Sequence, residues 1–215
     1  TDGGTTYPNV IVASTAAGTG AYAWTIPDTI GTNRRVRVSD ASDATVNDTS
    51  NANFTIMGGF TLSVPNGGEV WTVGSAQTLT WTTAGTVANV KIEYSTDGGA
   101  TYSTVIIAST LNTGSYGWTV ADAITTLARV RVSDVNNANA LDVSNANFKI
   151  RGALLLTAPN GAEAWPINSV QNITWTRTGS IANVKLEYST NGFADELQTT
   201  VIIASTPADP LPADN

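Results

Sequence analysis

Neither cysteine nor histidine occurs anywhere in the 215 residues. Without thiols there is no disulfide and no thiolate metal ligand; without imidazole the usual zinc ligand and the usual general base at neutral pH are both missing. Basic residues are few and scattered, 10 Lys and Arg against 17 Asp and Glu, for a formal net charge of −7 and a pI near 4.3. Phosphate contacts need clustered Lys and Arg, so nucleic acid and anionic membrane surfaces are not expected partners. No apolar run approaches the ~20 residues of a membrane span, and no signal peptide opens the chain, so Thr1 reads as a cut end rather than a start.

What the chain does have is 41% hydrophobic residues, among them six Trp, enough to build folded cores. It also repeats itself. PNGGEVW at Pro65 to Trp71 returns as PNGAEAW at Pro159 to Trp165, an offset of 94 (159 − 65). SNANF at Ser50 to Phe54 returns at Ser144 to Phe148 with the same offset, and Trp24, Arg35, Arg37 and Asp40 return as Trp118, Arg129, Arg131 and Asp134. Trp81 matches Trp175, and VKIEYST from Val90 matches VKLEYST from Val184. VIIAST at 105 to 110 recurs at 201 to 206, an offset of 96, which places a two-residue insertion near Phe193. A fixed period of this kind defines the units. Residues 60–150 are one complete repeat, residues 1–57 match only its later part and residues 153–215 only its earlier part.

Inside the complete repeat the apolar residues alternate: Leu79 and Trp81; Val90, Ile92 and Tyr94; Tyr116, Trp118 and Val120; Val130 and Val132. Period two marks strands with one buried face. Turn signals at PNGG, AGT, DGG, NTG and DVNN separate them, a spacing that fits an all-β, antiparallel sandwich of about seven strands. The PNGGEVW stretch is a turn under this reading, because Asn66 and Gly67 form a strong turn pair and Trp71 and Val73 resume the alternation. A phosphate cradle would want a helix N-terminus or a lysine after the glycines, and Glu69 stands there instead. On the opposite parity Lys91 and Glu93 face outward, as do Arg129 and Arg131 on a neighbouring strand, so an exposed pair between Glu93 and one arginine is expected.

The string PNGGEVWTVGSAQTLTWT, followed by VKIEYSTDGGATY, GSYGWTV, RVRVSD and DVSNANFKI, resembles the Ig-like repeats of fungal cell-wall assembly proteins, of Ser/Thr-rich GPI-anchored proteins and of large bacterial surface proteins. The resemblance spans nearly the whole chain. It implies tandem Ig-like or fibronectin-III-like sandwiches displayed outside the cell, often in long arrays, and it brings no catalytic residues with it. NGFADELQ at 191 to 198 departs from the pattern, since a longer loop replaces the DGG turn of Asp97 to Gly99.

Several residue groups carry candidate chemistry. Asp40, Asp43 and Asp48 lie close in one loop, and Asp134, Asn136, Asn137 and Asp142 lie in its counterpart; oxygen ligands of this kind suit Ca²⁺, although the spacing matches no known calcium loop and Asp and Asn are common turn formers. Tyr7 and Tyr102, just after equivalent glycine turns, are the aromatics best placed to stack on a sugar. A glycosidase needs two carboxylates across a cleft, whereas Glu69 and Glu163, like Glu93 and Glu187, recur by repetition and read as structural. Asn47, Asn53 and Asn172 open N-glycosylation triplets.

The sequence therefore points to a non-enzymatic extracellular structural protein, a stalk, fibre, filament or adhesin segment, with short linkers such as MGG (Met57 to Gly59) and RGA (Arg151 to Ala153) fixing the angle between neighbours. Its partners are adjacent repeats or copies of itself, with cell-wall polysaccharide as a further partner. A glycan- or protein-binding module and the accessory domains of a secreted hydrolase are the alternatives. The ends allow two readings. The chain is a window cut from a longer array; or it assembles head to tail, with Trp165, Trp175 and Leu186 of one copy against Trp24, Val36 and Val38 of the next and Glu187 meeting Arg35 or Arg37. Against the second, VIVAST at Val10 to Thr15 and VIIAST at Val201 to Thr206 supply one strand too many.

Overall fold

The computed structural model describes residues 2–194 and 199–208; the end of the NGFADELQ loop, 195–198, and the tail 209–215 lie outside the described residues. The fold is all-β, and no α-helix occurs among the described residues. The first segment holds a 3₁₀ turn at Ala17–Thr19 and strands β1 (Gly31–Arg34), β2 (Arg37–Ser39), β3 (Asn47–Thr49) and β4 (Phe54–Ile56). The middle segment holds β5 (Gly59–Val64), β6 (Val70–Thr72), β7 (Ala76–Ala84), β8 (Asn89–Ser95), β9 (Thr104–Leu111), β10 (Ser115–Thr119), β11 (Thr125–Asp134), β12 (Leu141–Val143) and β13 (Phe148–Arg151). The last holds β14 (Ala153–Ala158), β15 (Thr174–Thr178), β16 (Asn183–Ser189) and β17 (Thr199–Pro207).

Two sheets make the middle segment. One has the order β10-β7-β5; the other has the order β6-β13-β11-β8-β9, with β12 added beside β11. Their inner faces meet in a single core: Leu62, Leu79, Trp81 and Trp118 from the first sheet, and Trp71, Val90, Ile92, Val130, Val132, Phe148 and Ile150 from the second. An all-β arrangement of two sheets around one apolar layer is consistent with a β-sandwich. The alternation read from the sequence is what fills it. Trp118 is buried against the rings of Trp71 and Tyr94, at centroid distances of 6.0 and 5.3 Å.

The PNGGE turn is where the chain crosses from one sheet to the other. Glu69 folds back over it, Oε1 accepting from the Asn66 N–H at 2.8 Å and Oε2 from the Gly67 N–H at 2.8 Å. The turn then docks on the SNAN stretch of the same segment. Ser144 Oγ donates to the Pro65 carbonyl (2.8 Å), Asn66 Oδ1 accepts from the Asn145 N–H (2.8 Å), and the Gly68 N–H donates to the Asn147 carbonyl (3.0 Å). Two of the repeated strings are thus two halves of one contact.

One outward-face expectation needs correcting. Glu93 is not exposed: it is buried between Lys91 Nζ and Arg131 Nη2, each 2.6 Å from a carboxylate oxygen. The Arg131 guanidinium in turn lies 4.4 Å from the centre of the Tyr102 ring. Long side chains from its own strand, from neighbouring β11 and from a loop have roofed over a position that alternation alone assigns to solvent.

The flanking segments repeat the middle one's pairings in part. Gly31 faces Ile56 and Arg37 faces Thr49, as Thr125 faces Ile150 and Arg131 faces Val143. Leu156 faces Trp175 as Leu62 faces Trp81, and Glu187 faces Val201 as Glu93 faces Val105. Each flank, however, forms only two-stranded sheets among the described residues. Leu62 and Val132 are 1% and 0% exposed, whereas their counterparts Leu156 and Val38 are 43% and 70% exposed.

Candidate functional site at the joints between segments

Repetition leaves few residues that occur once, so the positions that differ in role from one strand to the next are those where segments meet. The chain passes from β4 to β5 through Met57 and Gly58, and from β13 to β14 through Gly152 alone. These connections are too short to wander. They are also packed: a Cβ on Gly152 would stand 2.6 Å from the Ile181 side chain and 2.6 Å from the Thr178 carbonyl, and one on Gly58 would collide with Val87 and approach the Ala84 carbonyl at 3.3 Å. Glycine is present at both positions because the loop after the first long strand of the next segment closes directly onto the linker backbone.

A second contact lies beside it. Asp28 reaches from the loop before β1 to the loop after β7, where Oδ1 accepts from the Thr86 N–H at 3.0 Å and Oδ2 from Thr86 Oγ at 2.5 Å. Asp122, in the loop before β11, makes the same pair of bonds to Ser180 after β15, at 2.9 and 2.5 Å. Both aspartates and both partners are 94 residues apart (122 − 28 and 180 − 86). The bonds from the Thr86 and Ser180 hydroxyls, and then from their backbone N–H groups, hold both carboxyls below the ordinary aspartate range. The backbone approaches closely here as well: a Cβ added to Gly179 would lie 3.0 Å from Val73 Cγ2, and one added to Gly85 3.4 Å from Ile30 Cδ1. Each joint thus combines a one- or two-residue tether, a close approach of the next segment's loop and a two-point carboxylate bond.

The MGG and RGA linkers were legible in the sequence; Asp28 and Asp122 were not. The signal that could have found them was an Asp kept by the repeat register, paired with a hydroxyl residue after the next repeat's AGT or TGS turn.

The other residues read from the sequence fall as follows. In the loop expected to suit calcium, Asp134 Oδ1 accepts from the Asn136 N–H (2.8 Å), Asn137 Oδ1 from the Asn139 N–H (3.1 Å), and Asp142 Oδ2 from the Leu62 N–H (2.7 Å). Asp142 therefore ties β12 to β5. Asp40 and Asp43 cap their own turns through Ser42 and Thr45. Among the described residues no three His, Cys, Asp or Glu side chains gather where they could hold a metal ion. Tyr7 and Tyr102 are half-buried, each with a guanidinium, Arg37 or Arg131, 4.4 Å from its ring centre. Asn47 and Asn172 are exposed; the Asn53 side chain bridges Arg35 and Asn33. No helix among the described residues is long and apolar enough to cross a membrane.

The residues read as inter-copy contacts are half-buried or exposed. Trp24 meets Phe54 edge-on at 6.4 Å; Trp165 is largely exposed; Trp175 Nε1 donates to the Ala208 carbonyl (2.7 Å); Leu186 is half-buried; and Glu187 pairs with Lys185. Arg35 bonds Asn53 Oδ1 (2.8 Å) and the Ser50 carbonyl (3.1 Å), as Arg129 bonds Asn147 and Ser144.

No family model, curated protein or solved structure matches the chain.

Proposed function

We propose that the protein is a non-enzymatic, extracellular structural protein: a segment of stalk or fibre built from tandem Ig-like sandwiches, whose length and stiffness are its function. The observation that carries this reading is the joint. Asp28 with Thr86 and Asp122 with Ser180 make the same two-point bond at two successive junctions, over tethers of one or two residues. A chain that needs only to connect domains is served by a flexible linker; building the same interlocked joint twice serves one that must hold them at a set angle. The resemblance to wall and surface repeats supports placing the array outside the cell, and an absence of Cys is compatible with stability drawn from Trp-rich cores.

The glycan-binding alternative finds less support, because Tyr7 and Tyr102 each give a ring face to an arginine. An antibody raised against the 215-residue chain tests the location directly. Labelling of intact cells of the source before permeabilisation is expected; labelling only after permeabilisation overturns the reading.

A further inference from the structure

We propose that the outer face of the sheet β6-β13-β11-β8-β9 is a docking surface for a carboxylated polysaccharide, a polyuronate chain laid along a row of cations. This goes beyond the reading of the chain as a stalk. It adds a partner, and it stands on the complete middle segment alone, whether or not the joints are rigid. Between Phe60 and Arg151 the chain has five Lys and Arg and six Asp and Glu. The five basic residues are scattered along the sequence, yet the fold brings Lys91, Arg129, Arg131, Lys149 and Arg151 to one face of one sheet. Lys91 stands between the buried Val90 and Ile92, Arg129 and Arg131 flank Val130, and Lys149 and Arg151 flank Ile150. A strand residue whose two neighbours enter the core points away from it.

The register turns these positions into a row. Arg131 on β11 faces Glu93 on β8, and on its other side β11 runs beside β13, with Ala128 facing Phe148. Arg129 reaches across to Asn147 at 2.7 Å, and Lys149 and Arg151 follow Asn147 at steps of two along β13. Within each strand successive cations are about 7 Å apart. Acid does not neutralise the row. Glu93 alone brings a carboxylate to this face of the strands, and Lys91 and Arg131 share it. The other five carboxylates of the segment are occupied by donors elsewhere: Glu69 by its turn, Asp97 by Ser95 and Thr101, Asp122 by Ser180, Asp134 by the Asn136 N–H and Asp142 by the Leu62 N–H. Arg129, Lys149 and Arg151 have no carboxylate partner among the described residues.

Lys149 and Arg151 are also the two cations that repetition does not explain. Arg129 and Arg131 recur as Arg35 and Arg37, and Lys91 as Lys185, whereas the counterparts of Lys149 and Arg151 are Thr55 and Met57 (149 − 94 and 151 − 94). Both are exposed, so the middle segment carries two accessible charges that the first segment lacks. The face fixes the chemistry of its partner. A sheet face is an extended platform, on which a polymer with a charge on each unit meets several cations at once while a small anion meets one or two. Lys91 and Arg131 already hold a carboxylate here, that of Glu93, and the planar fork of arginine matches that group. Nucleic acid is the poorer fit. A single strand needs an aromatic platform for its bases, and the Tyr102 ring beside the row is given to Arg131. A net charge of −7 opposes the dense charge of a duplex more than that of a sparser polymer.

Isothermal titration of the full chain with polygalacturonate, in calcium-free buffer of low ionic strength, tests the proposal, with dextran and duplex DNA titrated in parallel. Saturable binding of polygalacturonate that weakens with added salt is expected, with none to dextran and weaker binding to DNA. Lys149→Thr combined with Arg151→Met gives the middle segment the residues its counterpart already holds, and should weaken binding roughly tenfold. Lys149→Arg combined with Arg151→Lys keeps both charges and should preserve it. Near-UV circular dichroism of both variants, dominated by the Trp-rich core, should match that of the parent chain. Absence of polygalacturonate binding overturns the proposal, as does binding that the neutral variant leaves unchanged or that the charge-preserving variant also loses. DNA bound as tightly as polygalacturonate overturns the choice of partner. None of these results bears on where the chain resides or on how stiff it is, so a failure here is distinguishable from a failure of the structural reading.

Discussion

Glu93 shows how much a single carboxylate can be asked to do in a protein with so few charges. Burial pushes its carboxyl up, and the hydrogen bonds from Lys91 and Arg131 more than offset that, leaving it below the ordinary glutamate range. An exposed pair would be worth ~0.2–1 kcal/mol; this one sits under a roof of side chains, so Glu93→Gln should cost about 1.5–3 kcal/mol in urea unfolding, and a loss no larger than that of an exposed pair would place it back among surface pairs. Trp118 belongs to the same scale. Buried against Trp71 and Tyr94, it should cost about 3–5 kcal/mol on truncation to Ala, read by the same unfolding curves. The core parity of Trp118 was legible from alternation with Val120. The burial of Glu93 was not, because period two assigns a face and says nothing of what long side chains from the same and adjacent strands lay over it.

At the scale of elements, the strands were readable and their partnerships only partly so. Hairpins such as β8 with β9 follow from a turn between two alternating runs. The lock between PNGGE and SNAN joins residues 79 positions apart, and no local pattern announces it; the repeat showed that both strings matter without showing that they touch. Gly67 is the tightest point of that lock, with φ of +127°, and a Cβ added to it would stand only 2.5 Å from Ala146 Cβ. Gly67→Ala should therefore destabilise the chain by about 1–3 kcal/mol through strain and displacement of the SNAN stretch. Thermal unfolding followed by far-UV circular dichroism checks this, and an unchanged midpoint would mean that the turn does not bear on the SNAN stretch.

For the whole molecule the deciding feature is the joint, which composition and periodicity could suggest only as a short linker. The carboxylate bond gives it a pH dependence. Asp28 and Asp122 have folded pKa values below the ordinary aspartate value, so the bond's contribution is fully present above about pH 4 and is lost as the pH falls through the depressed folded values. The Ser180 amide resonance should accordingly hold its position down to about pH 4 and move on further acidification; a titration centred at the ordinary aspartate value would show that Asp122 does not bond it. Asp122→Asn keeps one acceptor and should weaken the joint less than Asp122→Ala.

The absence of native cysteine makes the rigidity of that joint directly measurable. With Ser109→Cys on β9 and Thr176→Cys on β15, both exposed, spin labels report the distance between the middle and last segments at single chosen sites. Electron–electron resonance on the otherwise unaltered chain should give one narrow distance distribution, and adding Asp122→Ala should broaden it. A distribution that is already broad with Asp122 in place, or one that Asp122→Ala leaves untouched, would contradict the claim that these joints hold the segments at a fixed angle.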